Sequence, residues 1–441
     1  MKKANNTQAA LLGLQHLLAM YSGAVAVPLL IGTALGFNTE QMTYLVSIDI
    51  FMCGLATLLQ LMRNRYFGIG LPVVLGCAIQ AVEPLKMIGS QFTIQTMYGA
   101  IIVAGIFVCL VSGQFSKVKR LFPPVVTGTL ITVIGLTLIP IAVQNIGGGN
   151  ASAKDFGSLT NITLGFVTVI LILAIQVFAK GFLSSIAVLL GLVSGSLVAA
   201  ALGLVSLAPL HEAPWFHVPQ PFYFGVPHFE WSSSVTMIII ALVSMVESTG
   251  VYFALGDILN KKITEKDLKL GYRAEGMAVI LGGIFNTFPY TTFSQNVGLL
   301  ELSGIKTKRP IYWSAGLLML LGLLPKAGAL ATMIPTPVLG GAMLVMFAMI
   351  SVQGIRILAS VDFTDQRNIL VVAVSIGLGL GVSIYPNIFP NLPRTVQLFL
   401  GNGIVVASLS LVLLNLVFKG REGLAKKDIK QQVRVLEDVD K

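Results

Sequence analysis

The chain is 441 residues long, with 55% apolar residues and only 11% charged ones, and its mean hydropathy is +0.84. A soluble protein of this length needs charge on about a quarter of its residues, so the composition excludes a soluble multidomain protein. The net charge of +10 lies in short connectors between apolar blocks, a pattern that orients helices in a bilayer and not one that grips nucleic acid.

The apolar blocks are about 20 residues long and lack the alternation of barrel strands, which predicts an all-α polytopic membrane protein. In chain order the spans fall near 8–35, 41–62, 77–89, 94–113, 124–144, 162–179, 183–207, 233–257, 270–287, 294–304, 310–330, 335–355, 368–385 and 395–418. That is fourteen. The first span is too long for the apolar core of a signal peptide, so no cleavable leader is expected. The third and tenth are too short to cross as helices alone, and each follows an extended stretch with a proline, around Pro72 and Pro289. Such β-like backbone at membrane depth needs protein or a cavity to satisfy its polar groups.

With both termini cytoplasmic, the inner segments hold 25 of the 29 Lys and Arg, among them Lys119 and Arg120, and the outer loops only Lys86, Lys154, Lys326 and Arg394. Fourteen spans divide into seven plus seven, so the second half enters the membrane inverted. Residues 71–77 (LPVVLGC) align with 288–294 (FPYTTFS) at an offset of 217, and Ser22-Gly23 with Thr249-Gly250 at 227, both close to half the chain. Inverted repeats with paired half-length spans mark secondary transporters, whose sites lie where the half-helix N-termini meet.

Ionisable groups inside spans are functional candidates by default. Glu247 stands in the middle of the eighth span. Gln295 and Asn296 open the tenth, where a positive helix end and unpaired N–H groups suit a polar ligand. An amide offers a donor and an acceptor, matching the edge of a heterocyclic base. The plainer N-cap role falls better on Ser294. His16 in the first span reads more readily as a helix–helix contact than as a proton carrier, and Glu275 is placed to pair with Arg273 at the cytoplasmic edge. Asp49, Glu83 and Asp257 are read as lying near span ends, with ordinary explanations, and His211, His217 and His228 as solvated loop residues. Cys53, Cys77 and Cys109 lie in apolar runs without paired metal spacing, so no metal site is expected. No Walker loop, dinucleotide fingerprint or zinc-protease motif occurs. With no nucleophile–base pair either, the chain is expected not to be an enzyme and to need no cofactor.

Residues 286–304 (NTFPYTTFSQNVGLLELSG) resemble the signature of the nucleobase–ascorbate transporter family, also called nucleobase:cation symporter-2. The motif reads Gln295-Asn296-Val297-Gly298 here, with Ser303-Gly304 in its closing positions and Ser for the usual Thr. Supporting matches are LQHLLAMY at 14–21, GIGLPVVLGC at 68–77 and VESTGVYFALGD at 246–257. The resemblance covers nearly the whole chain and is strongest to bacterial xanthine and uric acid permeases.

It implies a substrate site made of Glu247, Gln295, Asn296 and Ser294, with Ile79 where relatives often carry a stacking Phe and Ala78 supplying backbone N–H. It matches His16 to a first-span histidine and Glu275 to a ninth-span acid, as proton-coupling or structural polar residues beside Glu247. It implies a core domain of residues 1–113 and 208–330, a gate domain of 114–207 and 331–418, and a cytoplasmic tail of 419–441. The expected protein is a homodimer in the cell membrane that imports xanthine, or uric acid, by proton symport, its core moving elevator-fashion against the gate. A uracil or broader nucleobase carrier is the alternative within the class, and a sulfate/anion exchanger or channel-like protein the alternative outside it.

Overall fold

The computed structural model describes residues 5–118, 123–304 and 306–418. The expected tail 419–441, with Lys119 and Arg120, lies outside them. The chain runs through α1 (Asn6–Ala34), α2 (Thr39–Leu61), β1 (Leu75–Cys77), α3 (Val82–Gln91), α4 (Ile94–Val118), α5 (Pro124–Ile146), α6 (Leu159–Phe178), α7 (Phe182–Ser185), α8 (Ala187–Ala201), α9 (Ala208–Glu212), α10 (Trp231–Ile258) and α11 (Glu265–Ile284). It continues through β2 (Tyr290–Thr292), α12 (Gln295–Ser303), α13 (Arg309–Gly322), α14 (Pro325–Thr332), α15 (Thr336–Leu358), α16 (Gln366–Ile384), α17 (Arg394–Leu400) and α18 (Gly403–Phe418).

Eight of the described helices are long and apolar enough to cross a membrane, or nine if α13 and α14 form one span bent by 82°. The bend falls just before Pro325, which cannot donate to the preceding turn. This count is below the fourteen segments read from hydropathy, for identifiable reasons. Helix α11 carries Asp267, Lys269, Arg273 and Glu275 in its first turns, α8 has only 15 residues, and α3 and α12 have 10 and 9. Helix starts follow local chemistry. Asn38 accepts from the Gln41 N–H at 2.9 Å while its own N–H donates to the Gln41 side chain at 3.1 Å, a reciprocal cap.

The helices sort into two bundles by what they pack against. Helices α1, α2, α4, α10, α11 and α13 pack on one another, and α5, α6, α8, α15 and α16 form a second group in which α5 lies along α15. Close crossings rest on small residues, as expected where lipid supplies no hydrophobic drive between helices. A Cβ on Gly105 of α4 would come within 2.8 Å of the Gly276 carbonyl on α11, and one on Gly276 within 2.9 Å of the Gly105 carbonyl.

Between the halves of the first bundle the two extended stretches meet as an antiparallel pair, Leu75 facing Thr292, Gly76 facing Thr291 and Cys77 facing Tyr290. Leu75 and Thr292, equated by the 217-residue offset, are register partners. The backbone groups that hydrocarbon could not satisfy find partners here. Phe293 N–H donates to the Val74 carbonyl at 2.9 Å, Leu75 N–H to the Thr57 hydroxyl at 3.0 Å, and Ala78 N–H to the Pro289 carbonyl at 2.8 Å.

Candidate functional site

A small cavity lies where β1 and β2 give way to their short helices, and both bundles line it. From the first bundle come Ile79, Gln80, Glu247, Ser294 and Gln295; from the second come Ile131 and Ile134 of α5 and Ile350 and Gln353 of α15. Its volume is about 30 Å³, room for a water or two and far less than a bicyclic base requires.

Glu247 projects from the middle of α10 and accepts from the Gln80 amide at 3.0 Å; the same amide nitrogen reaches the Ser244 hydroxyl, one turn earlier, at 2.8 Å. Gln80 is buried in the 3-10 turn Ile79–Ala81 that leads into α3. Because the backbone leaves the strand at Cys77 and turns at once, successive side chains of 79 and 80 both reach the cavity wall. A charge-assisted bond of this kind orients a carboxylate more firmly than a neutral one does.

Gln295 begins α12 and is exposed toward the cavity, and no described residue accepts its backbone N–H. Ser294 does not cap the helix as its position suggested. Its backbone is already helical and its side chain makes no cap bond; the hydroxyl lies 3.4 Å from Gln295 Oε1 and 3.5 Å from Gln353 Oε1, across the bundle boundary. Asn296 points the other way, into protein. Its Nδ2 donates to the His16 carbonyl at 3.2 Å, while its Oδ1 and the Nδ1 of His16 are buried without a protein partner. Asn296 and His16 thus join α12 to α1 and do not line the cavity.

Three expectations are corrected by this geometry. Ala78 cannot offer its N–H to a ligand, because the Pro289 carbonyl holds it as part of the extended pair. Glu275 does not pair with Arg273: it is buried and accepts from the Tyr252 hydroxyl at 2.6 Å, which itself accepts from the Gln60 amide at 2.6 Å. Residues two positions apart on a helix point to nearly opposite faces, so the Glu275 carboxyl faces inward while Arg273 does not. Asp49 is no span-end residue. It is fully buried in mid-α2, where Tyr290 donates to Oδ1 at 2.8 Å and the Cys77 thiol lies 2.9 Å from each oxygen. Ile79 lines the cavity. Among the loop histidines, His211 and His228 are exposed, whereas His217 is half-buried with Nε2 2.9 Å from the Gly322 carbonyl.

Sequence reasoning missed Gln80 and Gln353 and misplaced Asp49 at a span end. Gln80 carried a readable signal, a polar residue directly after the expected stacking site in an otherwise apolar run. Gln353 has none, since its relevance arises only where α15 meets α12.

A family profile described as "Permease family" (Xan_ur_permease) matches residues 7–388. The chain is 53% identical over 423 residues to "Uric acid permease PucK" of Bacillus subtilis (strain 168), covering 96% of this chain and 98% of that protein. It is likewise 53% identical over 407 residues to "Xanthine permease" of the same organism, covering 92% of this chain and 93% of that one. Among solved structures the fold is similar to the transmembrane domain of the cyanobacterium bicarbonate transporter BicA, with a TM-score of 0.63 at 16% identity, over 87% of this chain and 97% of that domain. This last likeness is one of fold alone.

Proposed function

The chain belongs to this permease family, that of the nucleobase:cation symporter-2 carriers, and on that premise we propose that it imports an oxidised purine, xanthine first and uric acid second, by proton symport. The observation that carries the reading is the cavity shared by the two bundles, in which the Gln80–Glu247 pair and the open amide of Gln295 face Gln353. An oxidised purine presents alternating lactam C=O acceptors and N–H donors. A carboxylate accepts from two such N–H groups, an amide both accepts and donates, and Ile79 with the isoleucines of α5 and α15 covers the ring faces. Similarity to a uric acid permease and a xanthine permease at 53% identity supports that substrate class.

In this reading the fourteen hydropathy segments are fourteen spans in a seven-plus-seven inverted repeat, with α3 and α12 as the paired half-helices and both termini cytoplasmic. Residues 1–113 and 208–330 form the core, and 114–207 and 331–418 the gate. The sorting of helices into two packed groups supports this division. Because the enclosed volume admits no base, core and gate must separate or slide for loading, which fits an elevator movement. Glu247 takes the coupling proton, His16, Glu275 and Asn296 hold the core together, and two copies meet through gate helices.

Uptake of labelled xanthine, urate, uracil and sulfate by the purified protein in liposomes, with and without an inward proton gradient, tests the proposal. Gradient-driven accumulation of xanthine or urate is expected. Accumulation of uracil alone, or sulfate exchange indifferent to the gradient, would overturn it.

A further inference from the structure

Asp49, Cys53 and Cys77 lie apart in sequence yet converge in space, and the fold explains how. Asp49 and Cys53 stand one turn apart on α2, so they share a helix face. Cys77 and Tyr290 are register partners across the β1–β2 pair, so their side chains leave the same face of the ribbon. The two faces meet. Both Asp49 oxygens lie 2.9 Å from the Cys77 sulfur, the Cys53 sulfur is 3.9 Å from Oδ2, and the Tyr290 oxygen is 2.8 Å from Oδ1. The possible ligand atoms of Asp49, Cys53 and Cys77 all fall within 4.8 Å of one another.

We propose that Asp49, Cys53 and Cys77, with the Tyr290 phenol at the edge, form a binding site for a thiophilic divalent cation such as Zn²⁺ or Cd²⁺, set directly behind the wall of the substrate cavity. Two thiols and a carboxylate are the donor set that borderline and soft cations select over hard ones. A tetrahedral zinc with bonds of about 2.3 Å to sulfur and about 2.0 Å to oxygen holds its ligand atoms roughly 3.3–3.8 Å apart. The separations in the cluster, from 2.9 Å to at most 4.8 Å, bracket that spacing. Among the described residues no basic side chain forms an ion pair with Asp49, so no ion pair has to break for a cation to bind. Each thiol that ligates gives up its proton.

Access comes through Cys77, which belongs both to the cluster and to the cavity wall. A cation that enters the cavity is thus one residue from the cluster, and coordination by Asp49, Cys53 and Cys77 draws it behind the wall. Once held, it ties α2 to the extended pair that carries Ile79 and Gln80. The consequence is inhibition of transport by stiffening the wall of the cavity. This inference does not depend on the identity of the transported molecule.

The test uses the tag-free purified protein in detergent, titrated with Cd²⁺ and followed by thiolate-to-cadmium absorption and equilibrium dialysis. One Cd²⁺ per chain is expected. Cys53→Ser and Cys77→Ser should each weaken binding at least about tenfold, since even groups that only support metal ligands are worth 10–100-fold. Cys109→Ser, on α4 against the Arg273 carbonyl of α11 and outside the cluster, should leave it unchanged. If Cys53→Ser does not purify as a dispersed protein, Cys53→Ala takes its place. In liposomes Cd²⁺ should inhibit uptake by the parent and by Cys109→Ser, and Cys53→Ser should resist it. Absence of bound Cd²⁺ at micromolar concentrations, or an affinity in Cys53→Ser and Cys77→Ser equal to that of the parent protein, would overturn the site.

Discussion

The Gln80 amide donates to the Glu247 carboxylate at 3.0 Å, and this is the one hydrogen bond made to the Glu247 side chain among the described residues. A turn leading out of a strand thereby aims a carboxylate on a helix more than 160 residues away in the chain. Replacing Gln80 with Leu keeps the volume and removes the donor. Losing a hydrogen bond to a charged group costs about 1.5–3 kcal/mol, so the KM for xanthine or urate uptake should rise roughly ten- to a hundredfold. An unchanged KM would mean that α10 alone positions Glu247.

Gln295→Glu replaces an amide by a carboxylate that cannot donate. On the proposed reading the purine loses a matched donor in a site shielded from water, worth about 1–3 kcal/mol. Purine affinity should fall roughly ten- to a hundredfold, measured by competition against labelled xanthine. Retained affinity would reduce Gln295 to a helix-start residue without a part in specificity.

Asn296→Ala should impair uptake by a route other than substrate contact. Its Nδ2 bond to the His16 carbonyl joins α12 to α1, and the variant removes that tie at a buried position. The expected signature is a lower maximal rate and a lower melting temperature in detergent, at normal expression, with KM changed less than in the Gln295 variant. Full rate and unaltered melting would show that the tie contributes nothing.

On the proposed reading, coupling rests on Glu247. A protonated carboxyl removes a charge that hinders movement through the membrane, and substrate and proton can then favour the same mobile state. Glu247→Gln imitates the neutral form and should keep some binding and exchange while losing uphill accumulation driven by an inward proton gradient. Glu247→Asp, one methylene shorter, should weaken binding by withdrawing the carboxylate from Gln80. If the Gln variant still concentrates xanthine normally, the proton is carried elsewhere, and Glu275 on its Tyr252 bond becomes the next residue to replace.

How much of this could be read from the residues follows from the range of the forces involved. The apolar blocks and the short third and tenth segments with their prolines were legible because the bilayer imposes length and composition on each segment separately. Glu247 and Gln295 were legible because a polar residue in hydrocarbon stands out against its own neighbours. What depends on a partner far along the chain was not. Nothing near Ala78 announces that Pro289 holds its N–H, and nothing near Glu275 that Tyr252 rather than Arg273 is its partner. The gathering of Asp49, Cys53 and Cys77 appears only when α2 closes on the β1–β2 ribbon. The sequence by itself determined a membrane protein of apolar helices with two interrupted segments and a polar midpoint, since burial in lipid acts on every residue locally. Tertiary structure alone decided which polar groups face the cavity and which face each other, since a hydrogen bond requires its partners within about 3 Å and chain folding sets that distance.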